Sequence, residues 1–312
     1  MNNYEIVIES TCDLNKSLRE KFHIYPEYIR GSVYLPNNQE ILSDLEWENI
    51  SSSEFYKIVK KNVGDVKTAF GTYFEFERVI KPILDEKKDA MIFTISTGIS
   101  GTFNAMRNYV DILLEDYPDR KIVVIDTLKY SAGSGLLAIL AAKNRDEGMD
   151  ILENENWCNK HRFNIHEMGV LDDLRFLAKN GRISMSKAFF GSLIGVQPVA
   201  DFTRDGKTSP LGNLKGIKLA DEFSLKYLLE TIEDLENQIV FIAHSDRLER
   251  ANLFKEQLLK VAKPKEVIII EVGESCGPNI GPGICTYFYL GKELSQERQD
   301  EIALYNKIKE TL

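Results

Sequence analysis

The chemistry in this chain of 312 residues concentrates in hydroxyl-bearing segments that follow short apolar runs. Ser10-Thr11-Cys12-Asp13 follows the run YEIVIE at 4–9, Ser96-Thr97-Gly98-Ile99-Ser100-Gly101-Thr102 follows AMIFTIS at 90–96, and Asp126-Thr127 closes KIVVID at 121–126. Hydroxyls and glycines at the start of a helix offer first-turn amides and the positive end of the helix dipole, a combination that holds a carboxylate or phosphate without transforming it. Ordinary helix capping explains Ser96, Thr97, Ser100 and Thr102 equally well, so spacing alone leaves both readings open.

Catalytic readings require stricter spacing. A nucleophile elbow needs G-x-S-x-G, and Gly98-Ile99-Ser100-Gly101-Thr102 ends in threonine. A hydrolase or transferase using Ser96, Ser100 or Cys12 remains the alternative, with His23, His161, His166 and His244 as the available bases. A reduced structural thiol is the simpler account of Cys12. Gly133-Ser134-Gly135-Leu136-Leu137-Ala138 resembles a dinucleotide fingerprint but starts seven residues after Asp126, so it reads better as small residues packing a helix tightly onto a sheet. The four cysteines and four histidines form no CxxC, HxxxH or HExxH, which argues against a metal site, a disulfide framework or a resident cofactor.

The elements that must carry these segments alternate in the first half. The runs at 4–9, 90–96 and 121–126 are β-branched with few polar interruptions, as buried parallel strands are. Helices follow at 100–114, with Ser100 as N-cap, and at 131–147, ended by Gly148. The implied fold is α/β with a parallel sheet, and ligands of such sheets bind beyond the strands' carboxyl ends, where the hydroxyls lie. In the second half strands are expected at 162–168, 195–202, 238–244, 266–272 and 285–290, with helices near 171–180, 185–193, 219–237, 247–261 and 295–312. This is an α+β domain with a largely antiparallel sheet. The polar stretch 147–160 suggests the boundary, giving domains 1–160 and 161–312.

Composition bounds the partners. The net charge is −9, and no stretch approaches the ~18 apolar residues of a membrane span. The first nine residues lack a basic leader, which points to a cytoplasmic protein. Residues 1–160 hold 26 acidic and 19 basic side chains and residues 161–312 hold 22 and 20, so nucleic acid is not an expected partner. Residues 161–220 are locally basic, with nine cations, Arg182 and Lys215 among them, against five carboxylates.

In their order along the chain these segments resemble the DegV family of bacterial lipid-binding proteins. The resemblance rests on Ile6-Val7-Ile8-Glu9-Ser10-Thr11-Cys12-Asp13-Leu14, Lys67-Thr68-Ala69-Phe70-Gly71-Thr72, Ile95 through Phe103, Asn180-Gly181-Arg182-Ile183-Ser184 and Gly281-Pro282-Gly283. It implies two domains holding a long-chain fatty acid between them, its carboxylate near Thr68, Ser96 and Thr97, with no chemistry performed by this chain alone. It further implies, for some members, an acyl-carrying role beside the ATP-binding subunit of a fatty acid kinase. Where members in that role typically carry arginine and histidine, this chain has Lys215 and Asn279, which with Arg182 form the implied headgroup or phosphate region. Lysine keeps the charge without the two-pronged geometry, and asparagine does not titrate. Phe189, Phe190, Leu193 and Ile194 in the apolar segment 188–196, together with Phe70, suit either an acyl tunnel or a plain core. A chain of about sixteen carbons buried in such a tunnel gains ~10 kcal/mol before ordering costs, at ~0.8 kcal/mol per methylene.

Overall fold

The computed structural model describes residues 3–171, 173–183 and 195–312. The expected helix at 185–193, and with it Phe189, Phe190, Leu193 and Ile194, lies outside the described residues. The chain forms two compact units. The first comprises Met1–Ser51, Asp65–Arg162 and Gly273–Cys276; the second comprises Ser52–Gly64, Phe163–Val272 and Gly277–Leu312.

In the first unit the three expected strands, β1 (Tyr4–Ile8), β5 (Asp89–Thr94) and β6 (Ile122–Asp126), form a parallel sheet in the order β1-β5-β6. Three strands of three residues each, β2 (Ser32–Tyr34), β3 (Glu40–Leu42) and β4 (Lys67–Ala69), make a separate antiparallel sheet. Helix α1 (Lys16–Lys21) follows β1, and α3 (Tyr73–Asp85) and α4 (Thr102–Leu113) share a core with β1 and β5 through Val7, Phe76, Val79, Ile80, Ile92 and Met106. Helix α5 (Ala132–Asp146) buries ten residues, all of Ala132–Ile139 among them, because its glycines and alanines let it lie close to the chain. The polar stretch expected as a boundary is instead helix α6 (Ile151–His161). Asp150 and Glu153 form a capping box at its start, and Ile151, Asn154 and Cys158 turn inward. Its polar sequence hides three buried positions, which is why it reads as a linker.

In the second unit β7 (Ile165–Val170), β8 (Gln197–Phe202), β9 (Thr208–Leu214), β10 (Ile239–His244), β11 (Glu266–Glu271) and β12 (Cys285–Leu290) form one sheet in the order β11-β10-β12-β7-β8-β9. Only β10 and β11 pair in parallel, so the sheet is largely antiparallel, as expected. Helices α8 (Ile217–Thr231), α9 (Leu248–Val261) and α11 (Gln299–Lys309) cover one face through Phe223, Tyr227, Phe254 and Tyr305. The short helices α7 (Leu174–Lys179) and α10 (Gly277–Ile280) complete the unit. By alternation Phe241, Ala243 and Phe288 lie on the other face, where Phe288 meets Phe202 at 6.1 Å between ring centroids.

A single cut at residue 160 does not describe these units. Helix α2 (Ser52–Lys61) joins the second because Tyr56 donates to the Val272 carbonyl and Phe55 and Tyr56 pack against Gly277. The segment Gly273–Cys276 joins the first through hydrogen bonds described below.

A methyl group on Gly135 would stand 2.6 Å from the Cys12 carbonyl oxygen and 2.9 Å from Leu14. Gly135→Ala is therefore expected to destabilise the protein by about 1–3 kcal/mol, read as a lowered urea midpoint. An unchanged midpoint would show that α5 does not need this close approach.

Candidate functional site

The carboxyl ends of β5 and β6 are braced against each other. Ser96, buried, donates its backbone N–H to the Lys129 carbonyl at 2.8 Å, and its hydroxyl oxygen accepts the Gly98 N–H at 3.0 Å. Asp126 takes both donors of Thr97, the backbone N–H at 3.1 Å and the hydroxyl at 2.6 Å, and also the Leu128 N–H at 3.1 Å. Leu128 sits at φ 52°, a left-handed conformation uncommon for a side chain of its size, and the Asp126 bond holds it there. Thr127 donates to the Thr94 carbonyl at 2.7 Å and meets the Ser134 hydroxyl at 2.9 Å.

The other expected segment comes to the same place. Thr68 is half-buried on β4 opposite Val33, and two residues on, the Phe70 ring lies 3.8 Å from where a methyl on Gly101 would stand. Helix α4 is capped by Gly101 rather than Ser100 and has no side-chain cap. The Ser100 hydroxyl still reaches the first turn, accepting the Thr102 N–H at 3.3 Å and meeting its hydroxyl at 2.8 Å. Phe70 is 42% exposed and Phe74 71% exposed, whereas Phe76 is wholly buried in the core.

A buried polar network lies at the exit of β1. Asp13, at φ 54°, accepts the Ser131 hydroxyl and the Gly273 N–H at 3.0 Å. Ser275 bridges Ser10 at 2.8 Å and Ser43 at 2.6 Å, and the Ser10 hydroxyl also accepts the Gly31 N–H at 3.2 Å. Glu9 accepts the Ile95 N–H at 2.6 Å, one residue before Ser96. Glu274 accepts the Asp44 N–H at 2.9 Å through one oxygen, while its other, Oε1, is buried without a partner. Burial raises the carboxyls of Glu9, Asp13 and Glu274 to about 7. Glu274 and the buried Lys129 give no motif signal, and Glu9 lies in a motif that does not mark its burial, since nothing in a linear sequence marks a carboxylate or an ammonium as buried.

The rival chemistries find little here. Burial pushes the Cys12 thiol well above its ordinary value, with the Glu9 and Asp13 charges adding to the effect, the opposite of what a nucleophile needs. Among the described residues no histidine ring is hydrogen-bonded to Ser96, Ser100 or Cys12. His23 meets Asp146, His161 meets the Trp157 carbonyl, and His166 lies between Asp201 and the Lys292 carbonyl. His244 accepts the Arg247 N–H and is lowered to about 4 by burial. Gly133–Ala138 is buried inside α5, with Gly135 against Cys12 and Leu14. Among the described residues no group of three or more His, Cys, Asp or Glu could hold a metal ion.

The expected headgroup residues do not all converge. The Arg182 guanidinium donates to the Asn180 carbonyl, and the Asn180 amide donates to the Pro278 carbonyl at 3.3 Å, so Arg182 and Asn279 flank one junction. Ile183 bridges Thr208 at the start of β9, whereas Lys215 follows the far end of that strand. Seven residues of strand separate them by roughly 20 Å, so Lys215 stands apart from Arg182.

A family model described as an uncharacterised protein of the DegV family matches residues 3–292. A DegV domain-containing protein of Streptococcus pyogenes is 28% identical over 290 residues, covering 93% of this chain and 98% of its own, and one from Clostridium perfringens is 27% identical over 291 residues at the same coverage. Among solved structures, a DegV family protein from Thermus thermophilus described by its fatty acid binding superposes with a TM-score of 0.81 at 23% identity, covering 93% of this chain and all of its own. A stearic acid-binding protein from Eubacterium ventriosum gives 0.80 at 24% identity, covering 93% and 98%. The fatty acid-binding DegV of Bacillus subtilis gives 0.77 at 22% identity, covering 94% and 100%.

A carboxyl with a raised folded pKa stabilises the fold fully below its unfolded value, ~4, and loses that contribution as pH rises through about 7. Glu274→Gln keeps an acceptor for the Asp44 N–H without the ionisation. Between pH 4.5 and 7.5 its stability relative to wild type is therefore expected to rise, measured by urea denaturation at each pH. Parallel curves would show that Glu274 ionises in the fold as it does in the unfolded chain, so that burial does not raise its pKa.

Proposed function

The chain belongs to the DegV family, and from that premise we propose that it binds one long-chain fatty acid. The observation that carries the proposal is the placing of the half-exposed Phe70 ring against the hydroxyl-rich start of α4. Exposed aromatic area beside polar donors suits a ligand with an apolar body and an anionic end. The fatty acid binding described for the Thermus, Eubacterium and Bacillus structures supports the same reading.

In this reading Thr68 and Ser96 hold the carboxylate. Thr97, placed beside them by the resemblance, gives both its donors to Asp126 and so positions the turn rather than contacting the ligand. The first turn of α4 adds its dipole. The acyl chain extends from this polar end past Phe70. The chain acts by carrying its ligand. Presentation of the carboxyl group to the ATP-binding subunit of a fatty acid kinase would use the junction of Arg182 and Asn279, with Lys215 outside it. Mixing the protein, fatty acid, ATP and such a subunit tests this partnership through formation of acyl phosphate, and no acyl phosphate confines the role to binding.

Native mass spectrometry of the purified protein is expected to show one co-purifying fatty acid. Thr68→Ala with Ser96→Ala is expected to weaken palmitate or oleate binding by about tenfold or more, since two hydrogen bonds to a charged group are lost. No bound lipid and no uptake of either acid by the wild type would overturn the proposal.

A further inference from the structure

Glu9 follows β1 beside the end of β5. Its Oε1 accepts the Ile95 N–H at 2.6 Å, and its backbone bridges Ile29. The residue is 3% exposed. A buried carboxyl is thereby fastened one residue from Ser96, whose backbone N–H is held in turn by the Lys129 carbonyl at 2.8 Å.

Among the described residues no opposite charge answers this carboxyl: Glu9 forms no ion pair, and no cation bears on its charge. Tyr28 and Arg30 flank Ile29, but the Tyr28 hydroxyl donates to Asp44 at 3.3 Å and the Arg30 guanidinium grips Glu75 at 2.9 and 3.0 Å. Lys129, wholly buried on the turn after β6, gives its carbonyl to Ser96, and Asp126 on that side is taken up by Thr97 and Leu128. The other ionisable groups around β1's exit carry no positive charge. They are the Cys12 thiol and Asp13 carboxyl on the same segment, and the Glu274 carboxyl and Cys276 thiol on the segment that Ser275 ties to Ser10. Burial raises Glu9 to about 7.

A carboxylate arriving at Ser96 brings a second negative charge to this turn, and two like charges in a buried setting disfavour joint ionisation. Linkage makes the effect reciprocal, so the anion tightens the hold on the proton by the factor that the proton tightens the hold on the anion. We infer that the site takes up its fatty acid together with a proton, the anion at Ser96 and the proton on Glu9. The inference rests on the carboxylate placement proposed above. The proton comes from solvent and adds to a carboxylate oxygen of Glu9, and no other bond is made or broken. Anion and proton together equal one neutral acid, so the buried end of β1 and β5 gains no net charge on loading. Binding therefore tightens as pH falls through the range in which Glu9 titrates and weakens as pH rises through it.

Isothermal titration of monomeric oleate into the full chain, repeated in buffers of different ionisation enthalpy, counts the protons exchanged. At pH 7.5 uptake of roughly half a proton or more per fatty acid is expected, from a group near 7 whose proton affinity rises about tenfold on binding. Affinity is expected to fall about fivefold or more from pH 6.5 to pH 8.5, where the monomeric acid itself stays ionised. Glu9→Gln keeps an acceptor for the Ile95 N–H without the ionisation. It is expected to lose the proton uptake, flatten the pH profile and bind more tightly than the wild type at pH 8.5, whereas Glu274→Gln is expected to keep both the uptake and the profile. Wild-type binding with no proton exchanged, or uptake that Glu9→Gln leaves undiminished, would overturn the inference while fatty acid binding stands. Failure to bind oleate at any pH would overturn the binding reading, and this one with it.

Discussion

The first unit turns on a single buried carboxylate. Asp13 lies where β1 ends, and a carboxyl in that place is costly unless donors reach it from several directions. Two do so, the Ser131 hydroxyl from the start of α5 and the Gly273 amide from far along the chain. Both Asp13 and Ser131 adopt positive φ to make the contact, and a side chain at Gly273 would stand 2.8 Å from the carboxylate. One acid thus fixes the close packing of α5 beside β1 and brings Gly273–Cys276 into a unit otherwise built from the first half. The Ser10–Ser275–Ser43 hydroxyls and the Glu274–Asp44 contact secure the same four residues.

A second acid does for β5 and β6 what Asp13 does for β1. Asp126 consumes every donor of Thr97 and one of Leu128, so the turn carrying Ser96 and the turn carrying Lys129 move as one. Thr97 resembles a ligand-contacting residue in sequence, yet its hydroxyl is spent on orientation. The result is a pre-organised polar end, in which little side-chain entropy would remain to be lost on binding the anion proposed here.

The strands β1, β5 and β6 are legible because buried parallel strands concentrate β-branched residues, and the six-stranded sheet is legible where its apolar runs are long. What escaped has physical causes. Strands β2, β3 and β4 span three residues each and carry Ser, Glu, Lys and Thr, too short and too polar for periodicity. Helix α6 hides its buried side in a polar sequence, and the N-cap moved from Ser100 to Gly101 because the serine hydroxyl serves Thr102 from one residue outside. Of the candidate site, the hydroxyls were visible as a pattern and the order of the motifs told the family. The buried Glu9, Glu274 and Lys129 were not, because their burial depends on segments up to 230 residues apart, as Asp44 and Glu274 are.

Those buried acids bear on the ligand. A fixed negative charge would repel the carboxylate proposed at Ser96, and Glu9 bonds the residue immediately before Ser96. Burial holds Glu9 at about 7 rather than near 4, so close to neutrality the group is substantially protonated. An anion bound at Ser96 would favour the neutral form further, since like charges a few ångströms apart in a low-dielectric setting disfavour joint ionisation. The same burial that makes Glu9 expensive to ionise therefore makes it compatible with a bound carboxylate. A chain with a net charge of −9 can in this way keep one locally neutral, donor-rich end, as the proposed carboxylate site requires.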